Sequence, residues 1–554
     1  MIAAALEFRQ NFALAARVFY SSGLLAEMTL PGLRAALLAA WSGSRSPSRS
    51  VRIHAANSPD KTALIWRDRR LTFSELNERM DRAAVGFQHS GLRRGASALI
   101  MVRNRPEYIE AQAGAGRIGA AGVSVSWRST APELTYLATH SKAKVIVFEA
   151  DLWPVIEQAR KGLPWLQPRD FVAVGGDAPG CRRYEEDFLG PAGSTLRVAK
   201  GTDEDAAVVV YTSGTTGKPK GAVRKFPKDA MHQVFRFIAE TPMRGDDIHL
   251  VACPLYHTTA FGFLSMSNLL GATAVLMDEF KPEPFLQTIE RHRVTTTALV
   301  PTMLHRVMSL EPRIRSKYEV STMRAIFTTS APLPGPLAIE VMNMFGDVLF
   351  NVYGATETGV VTLAKPEDLR ARPGTIGRPV PGNEIRLIDA SGNDVGVDHV
   401  GELYTRNGML VSGYHADPES TKASMMDGFF TVGDLARRDP EGRYFIEGRR
   451  SDMIISGGVN VYPAEVEAVL EAHPQVAEAA VVGADDADWG ERVRAFVVPR
   501  QGDGQLEDGA LRAWCRERLS GPKVPREFVF VEALPRNPTG KVLKRELRNW
   551  SSTG

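Results

Sequence analysis

The stretch "YTSGTTGKPKG", Tyr211 to Gly221, gathers hydroxyls, glycines and two lysines into eleven residues. Those parts suit an anion. Gly214, Gly217 and Gly221 let the backbone turn its N–H groups toward one point. Thr212, Ser213, Thr215 and Thr216 add hydroxyl donors, and Lys220 adds charge. The P-loop of nucleoside triphosphatases is a poor fit, because Lys218 is followed by Pro219 instead of serine or threonine. On its own, such a loop also reads as a solvated turn after a strand.

Four more stretches carry chemistry-bearing residues in order: "NVYGATETG" (Asn351 to Gly359), "DGFFTVGD" (Asp427 to Asp434), "GRRSDMIISGGVNVYPAEVE" (Gly448 to Glu467) and "PRNPTGKVLKREL" (Pro535 to Leu547). Together with the loop they resemble the signatures of the adenylate-forming enzymes. That superfamily holds acyl-CoA synthetases, peptide-synthetase adenylation domains and firefly-type luciferases. The likeness runs roughly from Val51 to Leu547. It implies that a carboxylate attacks the α-phosphate of ATP and expels pyrophosphate, after which CoA thiolate takes the acyl group. Two anions must meet in the first step, so donors and a metal, Mg2+, are required.

The resemblance also implies roles. Thr212 to Lys220 would hold the β- and γ-phosphates, Thr356 the α-phosphate and Glu357 the magnesium, although Glu357 could instead cap a helix. Magnesium keeps waters and phosphate oxygens, so one glutamate suffices. Tyr353 would pack on the adenine, with Gly354 allowing close approach, and Asn351 would belong to the same cofactor-binding set. Ser330, Ala331 and Pro332 stand where the family usually has Gly-Ala-Pro. Asp434 would accept from the ribose hydroxyls, with Val432 replacing the usual threonine, and Arg449 would add a ribose or phosphate contact. Lys541 would be the mobile cation bridging carboxylate and α-phosphate. Its withdrawal implies rotation about a hinge at Ser451, where the family usually has Asp or Lys. Gly457 and Gly458 would then face the pantetheine tunnel.

For the acid itself, "CPLYHTTAFGF" (Cys253 to Phe263) has no carboxylate to pair with a substrate amine. By resemblance His257 is the gate of the acyl site. Thr258, Ala260, Phe261 and Phe263 would line an apolar channel, with Gly359 leaving room for an alkyl chain. The expectation is a medium- to long-chain fatty acid joined to CoA. An acyl-AMP ligase loading a carrier protein, or a membrane-associated fatty-acid uptake or binding protein, are the alternatives.

The elements that must position these residues read as α/β. Short β-branched runs alternate with helical segments from about Val51, as in largely parallel sheets with crossover helices. Thr72 and Glu75 predict a capping box at one helix start. After about Gly374 the texture becomes turn-rich and alternating, as in an antiparallel β-subdomain, and beyond Asp452 a small α+β unit follows. The expected division is 1–50 as an amphipathic extension and linker, 51–448 as the large domain, 449–452 as the hinge and 453–554 as a mobile lid.

At 554 residues, more than one core is expected. A net charge of +3, without basic blocks interleaved with aromatics, gives no sign of a nucleic-acid partner. Three scattered cysteines suit a reducing compartment, and a cytoplasmic location is expected. Apolar residues between Phe12 and Trp41 are interrupted by Arg17, Glu27, Pro31 and Arg34, so they predict amphipathic helices and no spanning one. These helices either cover the body of the protein or give residues 1–44 a peripheral membrane contact. Oligomeric state stays open at this level, with a homodimer among the options.

Overall fold

The computed structural model describes residues 13–42, 47–194, 196, 208–212, 220–224, 228–411, 418–456, 459–486, 488–500, 506–537 and 541–550. The β-branched runs assemble into two large sheets. In one, strands Arg182–Arg183, Phe171–Val174, Ala143–Glu149, Ser97–Met101, Ala121–Ser124 and Val208–Thr212 lie side by side in parallel, and Lys220–Arg224 closes the edge antiparallel. The second has nine strands. Its interior, from Leu349–Ala355 through Ala325–Thr328, Thr296–Leu299, Ile248–Val251 and Thr273–Leu276 to Thr62–Trp66, is parallel. Its edges are antiparallel hairpins.

Helices Phe73–His89 and Pro106–Arg117 join these sheets through one apolar cluster that includes Phe73, Met80, Phe87 and Tyr108. The first begins at the expected box: Glu75 N donates to Thr72 Oγ1 and Thr72 N donates to the Glu75 carboxylate. Tyr108 also ties the sheets by hydrogen bonding, its hydroxyl donating to the Leu255 carbonyl over 2.8 Å. Asn104 accepts from Leu255 N and donates to the Cys253 carbonyl, at 2.7 and 2.9 Å. The segment that leads into His257 is thereby pinned.

The antiparallel subdomain forms as expected. Glu384–Ile388, Gly401–Arg406, Phe429–Arg438 and Tyr444–Arg449 pair in succession, with Met425–Met426 beside Phe429–Arg438. The C-terminal unit carries its own core on a second five-stranded sheet whose longest strands are Val476–Asp486 and Gly490–Pro499. Helices Pro463–Glu471 and Asp508–Arg516 cover that core, the first opening on proline, which suits a helix start.

Near the N-terminus two helices pack in different ways. The helix over 13–21 covers the body: Val18 and Leu24 are buried with Phe235, Phe237 and Met243, and Phe19 meets Phe235 edge-on at 5.4 Å. Helix Leu30–Ser42 instead rests on helix Arg49–Asn57 by its small residues. A Cβ on Gly32 would collide with the Asn57 side chain, whose Oδ1 accepts from Thr29 N over 2.7 Å. Among the described residues no helix is long and apolar enough to cross a membrane.

Candidate active site

Strand pairing brings three of the expected residues into contact. Asp434 and Arg449 are register partners in the antiparallel subdomain, and Arg449 Nε donates to Asp434 Oδ1 over 3.0 Å. Tyr353, at the end of a strand of the nine-stranded sheet, donates its hydroxyl to Asp434 Oδ2 over 2.8 Å. Burial, then the neighbouring carboxylate, pushes the Tyr353 phenol well above its ordinary range, so it remains a donor. The Asp434 carboxylate is thus held at both oxygens. Each keeps a further lone pair for a ligand hydroxyl.

Lys541 comes to this place from the C-terminal unit. Burial lowers its ammonium to about 8, Arg449 adds to the depression, and Asp434 and Asp452 oppose it. The chain is clamped at the lysine's own backbone: Lys541 N donates to Asn537 Oδ1, and Asn537 N donates to the Lys541 carbonyl, both over 2.9 Å. Among the described residues, polar contacts between this unit and the large domain include Arg500 with Glu340 at 3.9 Å. Arg536 donates to Thr302 Oγ1 over 3.3 Å, and Glu478 lies 3.7 Å from His305 Nδ1. Ser451 sits in the short helix Arg450–Asp452, and its carbonyl accepts from Arg548 Nη2 over 2.8 Å.

The "ATET" residues form a hairpin turn, not a helix start, between strands Leu349–Ala355 and Gly359–Ala364. Glu357 therefore caps no helix. It is buried, and its carboxylate makes no ion pair or hydrogen bond among the described residues. A buried carboxylate with no cation beside it among the described residues fits a divalent metal, and the same residues contain no group of three or more acidic, histidine or cysteine side chains that would hold one alone. Magnesium held at Glu357 would need phosphate oxygens to complete its shell. Thr356 Oγ1 lies 3.3 Å from Thr258 Oγ1, and Thr259 Oγ1 lies 2.9 Å from Ser330 Oγ. These threonine contacts join the turn, the acyl-side helix and the end of strand Ala325–Thr328 into one rim. The Thr259–Ser330 pair gave no signal in the sequence.

Several expected residues have a structural partner that the sequence concealed. Asn351 gives its amide N–H to the Thr375 carbonyl over 2.9 Å. Gly354 is needed for a backbone approach different from the one expected at adenine: a Cβ there would collide with the Gly359 carbonyl across the hairpin. Ser330 has φ +74°, the left-handed conformation that glycine adopts freely, and Ala331 and Pro332 follow it on a partly exposed edge. Thr212 and Lys220 pair through their backbones, so the ends of the glycine-rich stretch lie side by side. Ser213, Gly214, Thr215, Thr216, Gly217, Gly457 and Gly458 lie outside the described residues.

The acyl side needs two corrections. Phe263, expected in the channel, is core: it is buried and stacks on Phe327 with centroids 4.7 Å apart. Ala260 is buried as well. A helix advances about 100° per residue, so one position earlier Gly262 faces open space, with nothing within 4 Å of an added Cβ. The room expected beside Gly359 is occupied. That glycine has φ +68°, and a Cβ would stand 2.7 Å from Met409 Cβ. Asn407 fixes the methionine segment, accepting from Met409 N and donating to the Thr358 carbonyl at 2.6 and 3.0 Å. His257 stands at the start of helix Thr258–Leu270, its Nε2 buried without a partner among the described residues. Burial lowers the ring to about 4, so it is neutral at pH 7.

Residues 51–415 match the family described as AMP-binding enzyme, and residues 465–541 match the AMP-binding enzyme C-terminal domain. The chain is 34% identical over 497 residues to a feruloyl-CoA synthase of an Amycolatopsis species, covering 89% of this chain and 96% of that protein. It is 31% identical over 493 residues to the long-chain-fatty-acid–CoA ligase FadD13 of Mycobacterium tuberculosis, covering 87% and 93%. Among solved structures it is similar to the anthranilate CoA ligase AuaEII in complex with anthranoyl-AMP. That match has a TM-score of 0.83 and 26% identity, and covers 92% of this chain and 97% of that one.

Proposed function

The chain belongs to the AMP-binding enzyme family, and from that membership we propose that it is an ATP-dependent ligase joining an apolar carboxylic acid to CoA through an acyl-AMP. One observation carries the reading. The Tyr353–Asp434–Arg449 chain of hydrogen bonds holds a carboxylate with free lone pairs, and the Lys541 ammonium of the other unit lies within electrostatic reach of Asp434 and Arg449.

In the first half-reaction an oxygen of the acid attacks the α-phosphorus and the bond to pyrophosphate breaks. Lys541 offers its ammonium to both anions, lowering their repulsion as they meet. Asp434 fixes the ribose, Thr356 and the stretch Thr212–Lys220 receive the phosphates, and Glu357 holds magnesium, which supplies charge neutralisation when bound. In the second half-reaction the CoA thiolate attacks the acyl carbon and AMP leaves. For that step we infer rotation of 453–554 about 449–452, withdrawing Lys541 from the cleft. A CoA acceptor, in preference to a carrier protein, is favoured by the tight turn between Phe429–Arg438 and Tyr444–Arg449, which has no insertion ahead of the hinge.

For the acid, medium- to long-chain fatty acids are the class that the motif resemblance favours, and the open face at Gly262 supports an extended substrate. Met409 over Gly359 favours a second reading, a compact aryl acid. The deciding experiment supplies ATP, magnesium and CoA with a series of acids from acetate to oleate, and with benzoate and cinnamate types, and measures AMP and thioester. Failure to release AMP or form a thioester with any of them would overturn the ligase reading. A preference for aryl acids would overturn only the fatty-acid one.

A further inference from the structure

Helix Leu30–Ser42 has its amphipathicity reversed relative to a helix that covers a core. Gly32, Ala35, Ala36 and Ala39 turn toward the protein, while Leu30, Leu33, Leu37, Leu38 and Trp41 are 83%, 47%, 63%, 56% and 77% exposed. These five recur at helical spacing, so they form one outward stripe. Leaving so much apolar surface in water is costly, at about 25 cal/mol per Å². The small-residue face shows that the helix is already docked as closely as backbone allows, so the stripe is not a misplaced core.

Charge says what covers it. The helix contains no acidic residue, and Arg34 is exposed between Leu33 and Leu37. The first fifty residues hold five arginines and two glutamates, a formal +3 that equals the net charge of the whole chain. Aliphatic side chains, an interfacial tryptophan and arginines whose stems can lie along apolar surface are what the boundary between anionic headgroups and acyl chains accommodates. Five side chains on a helix about 20 Å long give a smaller patch than the roughly 800 Å² per partner of a stable protein interface. A lipid surface asks for no such minimum.

We propose that the Leu30–Trp41 stripe, with Arg34, is a docking surface for an anionic lipid bilayer, on which the helix lies flat while helix 13–21 stays packed in the body. The proposal stands apart from the ligase reading, since its test needs no turnover. The full chain would be sedimented with vesicles of phosphatidylcholine alone and of phosphatidylcholine mixed with phosphatidylglycerol. Binding to the mixed vesicles is expected, weakened by salt, and lowered about tenfold or more in Leu33→Gln/Leu37→Gln/Trp41→Gln. Arg34→Glu should reduce binding to the mixed vesicles with the leucines intact. An unchanged melting temperature would show that both variants fold, because the substituted positions face outward. Three outcomes overturn the idea: no binding to either vesicle, a triple variant that binds as well as the parent, or a lipid-free dimer that the triple variant converts to monomer. The last would give the stripe to a second copy of the chain.

Discussion

Asp434 and Arg449 face each other across two antiparallel strands, with Arg449 Nε donating to Asp434 Oδ1 over 3.0 Å. The pairing is built by backbone register, so the carboxylate is positioned before any ligand arrives. Tyr353 completes it from a different sheet. Two different sheets thereby hold both oxygens of one carboxylate, and the Lys541 ammonium is close enough to feel the charge of Asp434 and Arg449.

Tyr353→Phe removes one hydrogen bond to Asp434 and leaves the other. A charge-assisted bond contributes about 1.5–3 kcal/mol; because Arg449 remains, the KM for ATP should rise by about tenfold, near the lower end of that range. Asp434→Asn replaces an acceptor with an amide that can donate, and should lower kcat/KM for ATP by roughly 100-fold. ATP-dependent pyrophosphate exchange measures both. A larger loss in Tyr353→Phe than in Asp434→Asn would contradict the assigned order of contact.

The lowered pKa of Lys541 has a direction in pH. The ammonium is charged below about 8 and is lost as pH rises through that value. Hence kcat/KM for the acid should fall on the alkaline side, and Lys541→Arg should move that limb beyond the measurable range. Lys541→Ala should abolish pyrophosphate exchange while leaving preformed acyl-AMP able to acylate CoA. Equal loss of both steps would remove the lysine from its proposed role. His257, neutral because burial lowers it to about 4, should add no acidic limb in the ordinary histidine range.

What could be read from the sequence was local. The Thr72–Glu75 box and the parallel sheets follow from spacing and side-chain shape, which a short window contains. Phe263 was misplaced because helical phase near a cleft depends on where the core lies, and a one-residue offset turns a side chain by about 100°. Met409 was missed for a different reason: it reaches Gly359 from a distant loop, and only the Asn407 hydrogen bonds bring the two together. The N-terminal helices were ambiguous because apolar composition does not say which face is docked.

Backbone strain gives two stability predictions of opposite sign. Ser330 at φ +74° costs about 1 kcal/mol relative to glycine, partly offset by the greater freedom of an unfolded glycine. Ser330→Gly should therefore leave the melting temperature unchanged or slightly raised, despite losing the Thr259 contact. Gly354→Ala drives a methyl into the Gly359 carbonyl, a backbone atom that cannot rotate away. A loss of at least about 2 kcal/mol is expected by thermal or urea unfolding.

Met409 should set substrate size. Met409→Ala clears the space over Gly359 and should raise kcat/KM for longer acids relative to short or aryl ones by about tenfold. Gly262→Phe fills the open face one turn beyond Thr258 and should do the reverse. Competition between hexanoate and laurate in one reaction reads the ratio directly. Parallel changes for both acids would mean that neither residue borders the acyl chain.

The final prediction concerns the hinge. Arg548 donates to the Ser451 carbonyl over 2.8 Å and lies 3.4 Å from Asp452, and its helix, Lys544–Arg548, begins three residues after Lys541. One short segment therefore links Lys541, proposed to enter the cleft, to the proposed pivot at Ser451. Rotation would also break the Arg536–Thr302 and Glu478–His305 contacts across the two units. Partly exposed polar pairs of this kind contribute about 0–1 kcal/mol each, enough to bias a two-state equilibrium severalfold without locking it. Arg548→Ala should therefore shift the population away from the arrangement seen here. Pyrophosphate exchange would fall a few-fold, while thioester formation from preformed acyl-AMP would rise by a similar factor. A fall in both half-reactions together would assign Arg548 to folding of the C-terminal unit and leave the hinge without a clamp.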